Sequence, residues 1–226
     1  MKKTAQFIFV PILIFWILFL SSCEKEKGNG LPTDGDGNEY DTVVIGTQVW
    51  LKQDLRTTKL IYGLAIKLET DPSKWYSVSA PAYCWYDNVE DSQSQYGAIY
   101  NWRAASSGAL CPNGWHVPTI EEWTTLINYL GGEEIAGGKL KETGTIHWLH
   151  NSGATNETGF TALPGGERGW DGNFNNRGLY GIWWTSSPSY NNGAWCVGIY
   201  TGGSTIGSTV MPSEAGYSVR CVKKKL

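Results

Sequence analysis

An α+β domain, with two helices packed on short twisted antiparallel strands, is what this sequence predicts. Three observations lead there. The first is a fully signalled helix near the middle of the chain. Thr119-Ile120-Glu121-Glu122 has the capping-box pattern, in which a hydroxyl and a carboxylate each satisfy an orphan backbone N–H. Ile120, Trp123, Leu126, Ile127 and Leu130 then recur on one helical face, and Gly131-Gly132 ends the run. The second is composition. Twelve Trp, twelve Tyr and 28 Gly imply short elements joined by tight turns, with large rings filling the gaps, and they argue against disorder. The third is order along the chain, with helical signals early and strand signals late, as in α+β folds.

The elements follow in turn. Thr42–Ile45 and Gln48–Leu51 flank Gly46-Thr47, a hairpin pattern with glycine in the turn. A second, shorter helix is expected across Gly97–Ala105, where Ile99 and Trp102 would share a face. The helix at Thr119 comes next. Beyond Gly144 the chain is punctuated by glycine, and Gly193–Tyr200 and Gly216–Val222 read as strands.

The first residues read as an address. Lys2 and Lys3 precede an apolar run from Phe7 to Leu20 that Pro11 interrupts, the plan of a secretory signal rather than a membrane span of roughly 20 apolar residues. Leu20-Ser21-Ser22-Cys23 resembles the bacterial lipobox, which implies cleavage before Cys23 and acylation of it. Several acyl chains give stable membrane anchoring. Residues 1–22 are thus expected to be a signal peptide and 23–40, rich in Gly, Asp and Asn, a lipidated flexible tether. Residues 41–226 form the domain, a size at which roughly 70% of the unfolded surface is buried. Glu24, straight after Cys23, resembles a surface-export signal of Bacteroidetes lipoproteins. The expected location is the bacterial outer membrane, on its exposed side.

Taking Lys2 and Lys3 from the 18 basic residues leaves 16 against 21 acidic, a net charge of −5. Nucleic-acid binding needs clustered Lys and Arg and is not expected. With Cys23 assigned to lipid, Cys84, Cys111, Cys196 and Cys221 remain, an even number in an oxidising compartment. Four cysteines allow three pairings.

Several blocks resemble one family. They include Tyr83-Cys84-Trp85-Tyr86, Tyr96-Gly97-Ala98-Ile99-Tyr100-Asn101-Trp102 and Cys111-Pro112-Asn113-Gly114-Trp115-His116-Val117-Pro118-Thr119. Glu122-Trp123, Gly138-Lys139-Leu140-Lys141, Asn156-Glu157-Thr158-Gly159-Phe160 through Gly166, Trp183-Trp184-Thr185-Ser186 and Ser218-Val219-Arg220-Cys221-Val222 continue the match in order. Together they resemble the Fibrobacter succinogenes major paralogous domain, a family of lipoproteins and surface proteins with no established biochemical function. One step further, Gly114 to Thr119 with Glu122-Trp123 resembles a block of the formylglycine-generating sulfatase-modifying family. That resemblance implies a C-type-lectin-like fold with long glycine- and aromatic-rich loops. It also implies a disulfide from Cys111, beside the first long helix, to Cys221 in the last strand. Cys84–Cys196 is then expected as the second bridge.

No catalytic constellation is visible. Within residues 41–226, G-x-S-x-G, S-x-x-K, C-x-x-C and H-E-x-x-H are absent. His147-Trp148-Leu149-His150 lacks the glutamate of a zinc motif, and His116 beside the helix cap reads as a structural histidine. Glu121 and Glu122 suit a helix N-terminus, whereas Glu157 and Glu167 lie in loops without an evident partner. Asp171, Asn173 and Asn175 place oxygens at alternate positions, as calcium loops do. Asn176 and Ile182 stand where an EF-hand needs Gly and Glu, so the stretch reads as a polar turn with calcium as the alternative; no cofactor is expected. Trp170, Asp171, Asn173, Asn175, Arg177 and Asn191 combine a flat ring with short polar groups, which suits a sugar face, while Trp183, Trp184 and Trp195 read as core. The expectation is a non-catalytic binding or adhesion domain for a glycan or an extracellular protein. A carbohydrate-active enzyme and a structural module of a surface assembly are the alternatives.

Overall fold

The computed structural model describes residues 30–89 and 96–223. The expected signal segment 1–22, the lipidation residue Cys23 and the first part of the tether lie outside them. Among the described residues the strands are β1 (Thr42–Ile45), β2 (Gln48–Leu51), β3 (Lys67–Leu68), β4 (Ala82–Cys84), β5 (Ile99–Asn101), β6 (Trp115–His116) and β7 (Glu167–Arg168). They continue as β8 (Phe174–Asn175), β9 (Tyr180–Pro188), β10 (Gly193–Tyr200), β11 (Ile206–Pro212), β12 (Gly216–Tyr217) and β13 (Val222–Lys223). The helices are α1 (Pro72–Trp75), α2 (Trp102–Ala105), α3 (Ile120–Tyr129) and α4 (Glu133–Leu140). The fold is mixed α and β, with few helices and several sheets. No helix among the described residues is long and apolar enough to cross a membrane.

Among the described residues three sheets have the orders β1-β2-β13-β6, β11-β10-β9 and β3-β4-β5-β12-β7-β8. The segment Gly216–Lys223 touches all three. β12 pairs with β5 and β7, Ser218 bridges Trp183 of β9, and β13 pairs with β2 and β6. Between β12 and β13 the carbonyls of Val219 and Cys221 accept from the N–H groups of Leu55 and Leu51. The single strand expected over Gly216–Val222 is thus two short ones, because the chain leaves one sheet and enters another.

The capped helix forms as its sequence predicts. Glu122 N–H donates to Thr119 Oγ1 at 3.3 Å, and Thr119 N–H donates to Glu122 Oε2 at 2.9 Å. Trp123, Leu126 and Ile127 are buried, and Trp123 packs on Trp50 with ring centroids 4.8 Å apart. The β1–β2 hairpin and β10 also stand where expected, with Gly46 at φ 60° in the turn.

The second expected helix does not form as one element. Ile99–Asn101 pair with β4 and β12 as a strand, and only one helical turn follows. Asn101 sets the boundary: its Oδ1 accepts from Ala104 N–H, capping α2, and from Ala82 N–H on the neighbouring strand, both at 3.0 Å. Helix α4 gave no sequence signal because Gly137 and Gly138 interrupt its pattern. They are there for contact: a Cβ on Gly138 would lie 2.2 Å from Gly153 O, so only glycine lets this helix reach its neighbours.

Two further expectations are corrected. Residues 31–40 are folded, not tether. Thr33 bridges Glu39, and Asp34 Oδ2 accepts from the fully buried Tyr40 hydroxyl at 2.6 Å. The polar composition conceals a turn in which Asp34 Oδ1 also accepts the N–H groups of Asp36 and Asn38. The second disulfide is absent. Cys111 and Cys221 are bonded, with Cα atoms 6.1 Å apart, but Cys84 and Cys196 are free and buried. Cys84 sits in β4 within the cluster of Trp75, Val78 and Ile99, whereas Cys196 sits in β10 of a different sheet.

Candidate ligand-binding site

The predicted site residues largely share one hairpin. β7 and β8 pair in the register Glu167↔Asn175 and Arg168↔Phe174. Residues 169–173 form its tip, with Gly172 at φ 85° close against the backbone of Pro72. Asp171 organises the turn: Asn173 N–H donates to Oδ1 at 3.1 Å and Asn173 Nδ2 donates to Oδ2 at 2.8 Å. These hydrogen bonds hold the exposed Asp171 carboxyl below its usual range. Asn175 Nδ2 in turn donates to Asn173 O at 3.4 Å. The calcium alternative finds donor facing acceptor here, rather than oxygens converging on one point. Among the described residues no group of three or more His, Cys, Asp or Glu side chains converges to hold a metal.

Trp170 crowns the turn with 55% of its surface exposed. Its ring meets Tyr76 edge-to-face at 6.2 Å, and Tyr76 is itself 60% exposed. The two rings form a surface platform beside the Asp171–Asn173 turn. Tyr76 was not legible as a site residue, because it reaches Trp170 only after α1 is folded against the hairpin.

Arg168 makes that docking possible. It is fully buried and spends its donors on backbone carbonyls: Nε on Gly172 O at 3.0 Å, Nη1 on Glu69 O at 2.5 Å and Nη2 on Thr70 O at 3.3 Å. Its guanidinium also lies 4.4 Å from the Trp75 ring and 4.9 Å from Phe174. From there the row continues outward. Phe174 packs on Tyr86 at 5.2 Å, and Arg177 lies over Tyr86 at 5.2 Å and over Tyr96 at 4.6 Å. Alternating cations and rings attract through the ring quadrupole. Burial raises the hydroxyls of Tyr86 and Tyr96 above their usual range, with Arg177 opposing it.

Asn191 stands apart. It occupies the β9–β10 turn with Asn192, at φ 53° and 57°, at the far end of β9, roughly 25 Å of strand from Tyr180. Its amide is explained by the left-handed turn that asparagine tolerates. Trp183 and Trp184 are fully buried, as expected, and Trp195 is half-buried. Both carboxylates have partners, and Glu167 stands in β7 rather than in a loop: Glu157 pairs with Lys139 at 3.0 Å, and Glu167 Oε1 accepts from Asn176 Nδ2 at 2.6 Å. His116 Nε2 lies 2.8 Å from Glu122 Oε2, and His147 Nδ1 lies 2.7 Å from Glu142 Oε2.

No curated protein and no solved structure matches the chain. The sequence model of the Fibrobacter succinogenes major domain matches residues 43–223, from the first strand to the last. The chain is therefore a member of the Fibrobacter succinogenes major domain family.

Proposed function

We propose that this chain is a cell-surface lipoprotein, anchored through Cys23 to the outer membrane, whose domain binds a glycan without catalysis. The observation that carries this reading is the Trp170–Tyr76 platform. Two exposed rings offer flat apolar area to the C–H face of a sugar, and the Asp171–Asn173 turn beside them supplies directional polar groups. A C-type-lectin-like fold is part of the same reading. Its support is the Cys111–Cys221 bridge, which joins the approach to the longest helix to the residue before the last strand.

A glycan array probed with the full chain and with Trp170→Ala and Tyr76→Ala variants tests the proposal. Either variant is expected to weaken binding about tenfold, the scale of one lost ring contact. Equal binding by both would remove the site. Cleavage of a bound glycan would favour the carbohydrate-active alternative. A silent array with capture of envelope proteins would favour the structural module. Release of the Cys23→Ser chain from membranes is the expected result for the anchor.

A further inference from the structure

The sheet β11-β10-β9 has two unlike faces. One buries Trp183, Val197, Ile199 and Ile206 in the core. On the other, strand alternation and register place Ile182, Gly198 and Gly207 side by side across the three strands. They floor an open pocket of about 380 Å³, within the range of small-molecule sites.

Glycine weakens a strand interior and needs a reason to be there. Backbone conformation supplies none, since neither residue has a positive φ. Packing supplies none either. A Cβ on Gly207 would meet nothing within 4 Å, and one on Gly198 would make ordinary contacts at 3.8 Å. What a side chain at these positions would remove is the hollow itself.

The walls indicate the ligand. Tyr180 and Tyr200 are cross-strand neighbours with rings 5.0 Å apart. At the inner end lie Tyr217, Cys196 and Glu167. Among the described residues, Glu167 is the only charged one of the lining. Its carboxylate takes hydrogen bonds from Asn176 and from the Tyr217 hydroxyl, but among the described residues it has no cationic partner. A partly sheltered carboxylate facing apolar walls favours a cation, and tyrosine faces attract one too.

We propose that this pocket binds a small organic cation with a flat apolar body. Its charge sits at the Glu167 end, and its body lies on the Gly198–Gly207 floor. The site is separate from the Trp170 hairpin tip and stands or falls independently of it.

The test is titration of the full chain, followed by NMR, with benzyltrimethylammonium, benzyl alcohol and benzoate. The cation is expected to bind about tenfold more tightly than the alcohol, with benzoate weakest. Gly207→Val and Gly198→Val should each abolish binding while circular dichroism and thermal melting show an intact fold. Glu167→Gln should erase the advantage of the cation and leave binding of the alcohol. Absence of cation binding at millimolar concentration overturns the proposal, as does benzoate binding as tightly. Unchanged binding by a folded glycine variant also overturns it. Should Gly198→Val fail to fold, Gly207→Val on the edge strand decides.

Discussion

Arg220 Nε donates to Asp54 Oδ1 at 2.6 Å across 166 residues of sequence, and both side chains are 1% exposed. Nothing in this pair is left to water. Arg220 Nη1 donates to Phe160 O at 2.5 Å, and the guanidinium lies 4.2 Å from the Phe160 ring. Asp54 Oδ1 also accepts from Trp183 Nε1 at 2.8 Å. The arrangement locks the chain-crossing segment Gly216–Lys223 to the start of the domain.

Removing one partner leaves a buried charge uncompensated. Arg220→Met and Asp54→Asn are each expected to cost about 3–5 kcal/mol, read from urea unfolding. The double variant should cost less than the sum, because the two changes remove one interaction. A single-variant loss below about 1 kcal/mol would show that the pair adds little beyond its own desolvation cost.

The cysteines yield a second prediction. Burial pushes the Cys84 thiol up to about 11 and the Cys196 thiol up to about 12, where little thiolate exists at neutral pH. Both should resist alkylation in the folded chain and react once it is unfolded without reductant, whereas Cys111 and Cys221 should react only after reduction. Peptide mapping by mass spectrometry reads this directly, and a Cys84–Cys196 linked peptide would contradict it. The bridge that is present spans 110 residues, so Cys221→Ser should lower stability by about 4–5 kcal/mol in the chain-entropy account.

These two cases mark how far the sequence can be read. The capping box at Thr119, the Gly46 turn and strand Gly193–Tyr200 are local, and local chemistry made them visible. The Cys84–Cys196 pairing rests on elimination, which carries no geometry: the two thiols stand in different sheets and are free. Arg168, Asp54 and Arg220 gave no signal, because a charged residue reads as surface until its partners, distant in sequence, surround it. Trp170 was legible as exposed from its neighbours Gly169 and Asp171. Its partner Tyr76 and the Gly198–Gly207 hollow depend on how separate strands and helices meet, which no short window contains.

Glu69 supplies a pH dependence with a definite sign. Its carboxylate pairs with Lys67 at 2.8 Å and accepts Asp71 N–H at 3.0 Å, and the Lys67 contact chiefly holds its pKa below the usual carboxylate value. The folded state thus binds this proton more weakly than the unfolded state. The stabilisation is full above the ordinary Glu value, about 4.3, and is lost as pH falls through the folded value. The stability difference between the native chain and Glu69→Gln should shrink on acidification, measured by urea unfolding at successive pH values. A difference that stays constant would show that the ion pair has no net effect.

Lys141 gives a pH dependence of the same sign, but from a buried charge that is unfavourable rather than a paired one that is favourable. Its side chain is fully buried, its ammonium donates to Ser152 O at 2.9 Å and Gly203 O at 2.7 Å, and it lies 5.3 Å from the Trp148 ring. Carbonyls and a ring face satisfy its donors, but among the described residues no carboxylate neutralises it. Burial therefore lowers its pKa. The folded state holds this proton less tightly than the unfolded chain, so the charge is unfavourable below the folded value. That penalty is relieved as pH rises towards the ordinary lysine value, about 10.4. Relative to Lys141→Met, the native chain should gain stability as pH is raised through the alkaline range, with other titrations cancelling in the difference. Unfolding curves of both chains measure it. A difference that moves against the native chain would mean that the carbonyl cage holds the proton more tightly than water does.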